Sequence, residues 1–335
     1  KRNHADYVII ATDELWEGAV ALADYRSANL DTMVVNLQDI FDEFAWGEPD
    51  PSAIRGLVKA SRQWRTVPRY FVLLGDGNFD YQDRMGLGYN IISPMMTGGR
   101  KDLHTNDTLL GDPDETGKPL AAVGRIPAKT LQQAMDYVAK VKAFENGSFN
   151  LPSMILTDRP DRAGNFTLSG QLLSSVVEGG QTILNAQGNR FVDVKADLIE
   201  SLDQGLGLLN YIGHGGIDRL SGSGLLVNED ADSGLINVHT PVFVGLTCLV
   251  NFYAIPGFDS LGERLVMRPD AGVVASWAAS GLSQNNEAAH LGFVFNDVYN
   301  QHERLGDVII DAFNETNALA NVYTLLGDPA LKLQK

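Results

Sequence analysis

The sequence predicts an α/β fold built on parallel sheet, and three observations predict it. Short β-branched runs alternate with stretches of helical period along nearly the whole chain. The chain opens strand, helix, strand, helix, strand, an order that calls for parallel neighbours and right-handed crossovers. The alternation breaks at ENGSFNLPS (145–153) and then restarts. Two parallel-sheet subdomains are therefore expected, over residues 1–150 and 151–335, with helices on both faces.

In the first half, YVIIAT (7–12), DTMVVNL (31–37), RYFVLLGD (69–76) and LAAVGRIPA (120–128) read as strands. WEGAVALADYRSA (16–28) is an amphipathic helix. DPSAIRGLVKASRQW (50–64) is another, with Asp50 as cap and Pro51 at the first helical position. Residues 77–119 lack periodicity and read as long loops. TLQQAMDYVAKVKAFE (130–145) is a long helix.

In the second half, SMILTD (153–158), FVDVKA (191–196), LGLLNYIGH (206–214), PVFVGLTC (241–248) and AGVVASWAA (271–279) read as strands. SGQLLSSVVEGGQTIL (169–184), DLIESLDQG (197–205), HLGFVFNDVYNQ (290–301) and a segment near 305–320 read as helices. YTLLGDPALKL closes the chain.

The length suggests two domains, at ~150 residues per domain. Of the 335 residues, 44% are apolar, enough for a sizeable core. The net charge of −16 argues against nucleic acid and anionic membranes as partners. No apolar run approaches the ~20 residues that cross a bilayer. The opening KRNHADYVII runs from charge straight into a strand, with no secretory leader, so the chain reads as a mature domain or an excised piece.

Cys248 is the one cysteine. Free cysteines are among the most buried residues, so a structural thiol is the first reading of TPVFVGLTCLVNFY. The second reading is a nucleophile. Cys248 ends one predicted strand, and His214 lies just past another, in LLNYIGHGG. Ligands bind beyond the carboxyl ends of strands in open α/β sheets, and neighbouring strands lie ~4.8 Å apart. An imidazole there can take the thiol proton and later protonate a leaving amine. The glycines after His214 let backbone amides approach an oxyanion, so the amides of Gly215 and Cys248 are the expected donors. His239, before the Cys248 strand, is the one rival histidine close in sequence. Asp158, at the end of a third strand, could accept the imidazole Nδ1–H or merely cap the loop DRPDRAG. Asp161 is its substitute.

LLNYIGHGG, PVFVGLTCLVNFY, GVVASWAASGL and LLGDPALKL occur in that order, after RYFVLLGDGNFDY and AAVGRIPAKT. Together they resemble the gingipain-type cysteine peptidases, family C25, from Asp6 to about Leu333. The resemblance implies a caspase-like fold shared with legumains, clostripain and separase. It implies endopeptidase chemistry on peptide or protein substrates. It also implies a secreted or surface bacterial location, as part of a larger protein. By motif, Cys248 is the nucleophile, His214 the general acid/base and Asp158 the orienting acid. Gly213, Thr247, Ser276 and Trp277 are assigned to substrate binding, Trp277 at the pocket wall or else in the core.

Two departures stand out. Well-known relatives cleave after Arg or Lys with an acidic residue in the loop after the orienting acid. Here that stretch, AGNFTLSG (163–170), has no carboxylate, so a neutral or apolar P1 residue fits better. HGGIDRLSGSG lacks the tryptophan that many relatives carry after the histidine. Catalysis requires no cofactor. Structural calcium is expected as an option, in the acidic loops with Asp102, Asp107, Asp112 and Asp114. GDPDETGK (111–118) is no P-loop, having one residue too many and Pro119 in place of Ser/Thr. DGNFDYQD (76–83) lacks the Gly and Glu of an EF-hand loop. A dedicated sorting-signal processing domain (hydrolase or transpeptidase), or a non-catalytic surface-assembly domain, is the alternative on the same fold.

Overall fold

Ten strands form one sheet in the computed structural model, which describes residues 3–88, 90–98, 103–147, 151–177 and 181–334. They are β1 (Tyr7–Ala11), β2 (Thr32–Asn36), β3 (Tyr70–Leu74), β4 (Ala122–Ile126), β5 (Ser153–Thr157), β6 (Gln181–Asn185), β7 (Leu208–Ile212), β8 (Val242–Leu246), β9 (Ala275–Ala279) and β10 (Tyr323–Leu326). Their spatial order is β2-β1-β3-β4-β10-β9-β8-β7-β5-β6. Each neighbouring pair is parallel except β9 and β10. The last strand of the chain thus seams the two parallel sets together. Because the seam is antiparallel, the carboxyl ends of β1–β4 emerge at one edge of the sheet, and those of β5–β9 at the other. The expected division near residue 150 falls between the helix that follows β4 and β5, and residues 148–150 lie outside the described residues.

The sheet is covered on both faces, as strand alternation requires. Tyr7 and Ile9 of β1 pack with Ala19 and Leu22 of α1 (Trp16–Arg26), in one core with Ala134 and Val138 of the helix after β4. Val8 and Ile10 face the other way, into a core with Ile40 and Phe41 of α2 (Leu37–Phe44) and Ile54 and Leu57 of α3 (Ser52–Ser61). Asp50 accepts the Ser52 amide at 2.8 Å, so α3 starts where Asp50 and Pro51 predict. The helix after β4 is α4 (Leu131–Asn146), capped by the Thr130 side chain. The first core continues without a break through β5, β7, β8 and β9.

The second half differs from expectation in one region. Residues 169–184 are not one helix: α5 (Phe166–Leu173) ends early, and QTILN forms the edge strand β6. Residues 191–196 are not a strand but the start of α6 (Phe191–Gln204). The β-branched FVDVKA suggested a strand, but Val194, Leu198 and Leu202 bury one helical face. Three helices complete the fold: α7 (Leu261–Met267), α8 (Asn285–Tyr299) and α9 (Leu305–Glu315). Among the described residues no helix is long and apolar enough to cross a membrane.

Buried ion pairs fasten the loops of the first half. Arg125, on β4, is fully buried and pairs with Asp107 at 2.7 Å, while its other nitrogen donates to the carbonyls of Gly75 and Ile92. Tyr253, from the loop after Cys248, donates to the same Asp107 at 2.7 Å. Arg26 pairs with Asp328 and Glu145, which ties α1 to the end of the chain.

Candidate active site

β5, β7 and β8 are adjacent and end in step: Thr157 pairs with Ile212, and Ile212 with Leu246. Asp158 follows β5 by one residue, and His214 and Cys248 each follow their strand by two. Strand register therefore puts the histidine and the cysteine at matching depth on neighbouring strand ends. Gly215 shows how tightly their loops meet. A Cβ on Gly215 would lie 2.4 Å from Thr247 Oγ1 and 2.6 Å from the Cys248 carbonyl oxygen. Only glycine fits, and its backbone lies against the cysteine segment.

His214 is exposed, and its Nε2 meets an oxygen of Asp161 at 2.8 Å, each side chain about half exposed (47% and 49%). The imidazole and the Ala163 amide hold Asp161 below the usual carboxylate range. Phe166, at the start of α5, packs the imidazole edge-on with ring centres 5.2 Å apart. Asp158, expected on the imidazole, does something else. It is buried, and its carboxylate accepts from the Arg159 amide at 2.8 Å, Ser221 Oγ at 3.1 Å and the His214 amide at 3.4 Å. Tyr211 donates to the His214 carbonyl at 2.6 Å, and burial first, then Asp158, pushes its ionisation well upward, so it stays a donor. Asp158 thus holds the loop that carries His214, while Asp161 holds the ring. With the Tyr211 hydroxyl also 3.4 Å away, four inward donors are available to Asp158, which is why it turns away from the imidazole.

The segment 215–220 folds into a hairpin after the histidine. Ser221 donates its amide to the His214 carbonyl at 2.7 Å. That makes Gly215–Leu220 the non-hydrogen-bonded pair of the ladder. The Gly215 amide therefore points away from its hairpin partner, as an oxyanion donor must.

Cys248 is half-buried. Its sulfur lies 3.3 Å from the Ser283 nitrogen, which donates to it, and 3.4 Å from the Ser283 carbonyl. Leu249, next in the chain, has φ of 60°, and Val250 donates to the Cys248 carbonyl at 2.8 Å. This is a γ-turn of the rare positive-φ kind, a strained conformation of the sort that gathers at functional sites.

The remaining expected residues divide. Gly213 is buried, and a Cβ there would strike Asp158 and the Tyr211 hydroxyl. Thr247 is buried beside Gly215, and its carbonyl accepts from Ser283 Oγ at 2.8 Å. Ser276 is fully buried and donates to Asn251 Oδ1 at 2.7 Å, pinning the turn after Cys248 to the sheet from within. Trp277 is not at a pocket wall. It is fully buried, stacked on Phe295 and edge-on to Phe313 and Tyr323, because β9 is covered on both faces. His239 lies before β8, at the opposite end of that strand from Cys248, and lines a cavity of about 320 Å³ with Lys140. A cavity of about 650 Å³ opens at the ends of β1 and β2, lined by Thr12, Asn36 and Tyr81. Neither cavity is lined by His214 or Cys248, so strand-end chemistry and not cavity size locates the site.

Of the four residues expected to offer calcium ligands, three already hold partners within the chain. Asp107 is bound to Arg125 and Tyr253, Asp112 to Thr116 and Gly117, and Asp114 to Arg62 at 2.5 Å. Asp102 lies outside the described residues. Asp76, Asp259 and Glu263 do bring oxygens within 4.8 Å of one another, but Lys129 reaches Asp76 at 3.6 Å and bonds to Asp259. Its ammonium supplies the positive charge that a cation would bring.

Asp161, Phe166 and Ser283 were not singled out by sequence, apart from Asp161 as a substitute. A second carboxylate three residues after Asp158 was the available signal.

A largely parallel sheet covered by helices on both faces, in this strand order, has the architecture of the caspase-like fold. The chain belongs to peptidase family C25, a family of cysteine peptidases whose profile matches residues 1–334. In structure it is similar to RgpB of Porphyromonas gingivalis in a complex of its pro- and mature domains. The TM-score is 0.78 at 16% identity, over 98% of this chain and 79% of that one. The Arg-specific cysteine proteinase gingipain R (RgpB) matches with a TM-score of 0.79 at 16% identity, over 99% and 79%. Dimeric latent PorU from Porphyromonas gingivalis matches with 0.51 at 16% identity, over 99% of this chain and 30% of that one. At these identities the likeness is one of fold. No curated protein matches the sequence.

Proposed function

We propose that this protein is a cysteine endopeptidase that hydrolyses peptide bonds through an acyl-enzyme on Cys248. The observation that carries the reading is the fit of Gly215 against the Cys248 segment, which joins the histidine loop to the cysteine loop. With Nε2 bonded to Asp161, Nδ1 of His214 is the nitrogen left to take the thiol proton. The thiolate adds to the scissile carbonyl, and the oxyanion forms at the amides of Gly215 and Cys248. His214 returns the proton to the leaving amine, and the C–N bond breaks. A water, giving its proton to His214, then cleaves the thioester and releases the acid. Asp161 orients the imidazole, and Asp158 shapes its loop.

The loop 163–170 has no carboxylate, which supports a P1 preference other than strict Arg or Lys. A bacterial secreted or surface location, within a larger protein, rests on the gingipain likeness alone. The test is digestion of a peptide library with the protein and with Cys248→Ala. Cleavage is expected to vanish in the variant, and cleavage that persists overturns the reading. The altered pocket loop favours one second reading, a peptidase or transpeptidase dedicated to a single signal. Fast alkylation of Cys248 with no turnover of generic peptides is its signature.

A further inference from the structure

The Cys248 sulfur is bracketed by one peptide segment. Ser283 donates its amide to Sγ at 3.3 Å, and its carbonyl lies 3.4 Å away as the acceptor for the thiol. That segment is itself tied down, because Ser283 Oγ donates to the carbonyl of Thr247, the residue before the cysteine, at 2.8 Å. Ser283 follows β9 by four residues and immediately precedes Gln284, the N-cap of α8. A strand end and a helix start hold it from both sides.

We propose that Ser283 is a positioning residue for Cys248. Its hydroxyl pins the 283 peptide onto the strand end that bears the thiol, and its amide holds the sulfur through the change from thiol to thiolate. The inference rests on the peptidase reading of the site. In the resting thiol, S–H donates to the Ser283 carbonyl. When that proton moves to the His214 imidazole, the carbonyl contact is lost. The amide contact then becomes a hydrogen bond to a charged acceptor, the stronger kind. An amide already in place needs no ordering at that moment, whereas an untethered loop would have to be ordered. Among small side chains, only serine and threonine can make the tether, since it needs a hydroxyl donor one bond from Cβ.

The test uses the full chain, in which Cys248 is the sole cysteine, so alkylation by iodoacetamide reports on it alone. Ser283→Ala is expected to slow alkylation about tenfold, the scale of a weakened hydrogen bond to a charged group. For a peptide substrate, kcat should fall with KM unchanged. Ser283→Thr, which keeps the hydroxyl, should restore both the alkylation rate and kcat. Equal alkylation rates in Ser283→Ala and wild type overturn the proposal. A folded Ser283→Thr that loses as much as the alanine variant also overturns it. Failure of the peptidase reading is separate: hydrolysis surviving in Cys248→Ala removes that reading, while alkylation still reports on the tether.

Discussion

The two edges of the sheet make opposite use of the same topology. At the edge where β1–β4 end, charge is folded inward. Asp76 follows β3, Arg125 lies near the end of β4 and Lys129 follows it; Arg125 is engaged by Asp107 and the Gly75 carbonyl, and Lys129 by Asp76 and Asp259. At the edge where β5–β9 end, Asp158 turns inward, but His214, Asp161 and Cys248 stay accessible. His214 and Asp161 are about half exposed and Cys248 is half-buried. Parallel strands supply a strand-end platform in both halves. What separates them is whether the loops close over the charges. The candidate site lies where they do not, and the antiparallel seam between β9 and β10 keeps the two edges apart.

The sharpest way to break this comparison is to remove the imidazole. His214→Ala should reduce kcat/KM for a peptide substrate by about 10²–10⁴, the usual worth of positioned acid–base catalysis, with little change in melting temperature. Arg125→Met, at the other edge, should do the reverse. It strands the fully buried Asp107 carboxylate with Tyr253 alone, at a cost of about 3–5 kcal/mol in stability, read by denaturant titration. An Arg125→Met protein as stable as wild type would mean that the inward charges do not hold that edge together.

A smaller effect separates the two acids beside His214. Asp161→Asn should lower kcat about tenfold and leave stability nearly unchanged, because its side-chain partners, the imidazole and the Ala163 amide, both lie at the surface. Asp158→Asn should cost about 1–3 kcal/mol of stability, since it disturbs a buried acceptor of four donors. Kinetics and thermal melts on the same pair of variants check both. If the effects are exchanged, the roles assigned to the two carboxylates are exchanged as well.

The contrast also explains what could be read from the sequence. The placement of His214 and Cys248 at strand ends was legible because each follows a run of buried strand residues. The choice between Asp158 and Asp161 was not. It depends on where a strand-end carboxylate finds donors, and the inward ones include Ser221, 63 residues away in the chain. Trp277 misled for a related reason: ASWAA is buried on both faces, so it has no period that shows which face meets a pocket. FVDVKA carries β-branched residues and helical spacing together, and packing of Val194 and Leu198 decided for the helix. The reversed seam was invisible, because nothing local in YTLL states the direction of the strand it will join.

The subtlest test of the closed edge is its response to pH. Burial raises Asp76 from the ordinary 3.8 to about 6, against the pull of Lys129 and the Gly77 amide, and Asp259 adds to the rise. Burial, with the charges of Asp76 and Asp259, also raises Glu263 well above its usual value. A carboxyl whose folded pKa is raised favours its neutral form in the fold. Its contribution to stability is therefore full below about pH 4 and is lost as pH rises through about 6, because the unfolded chain gives up that proton first. Carboxylates held low, such as Asp161 at the open edge, have the opposite sign, so a single melting curve against pH mixes the two. The difference between wild type and Asp76→Asn isolates the closed edge. From pH 4 to pH 7, calorimetry should show the melting temperature of wild type falling by a few degrees relative to Asp76→Asn. Parallel curves would show that Asp76 ionises alike in the folded and unfolded chain, and that Lys129 alone balances its burial.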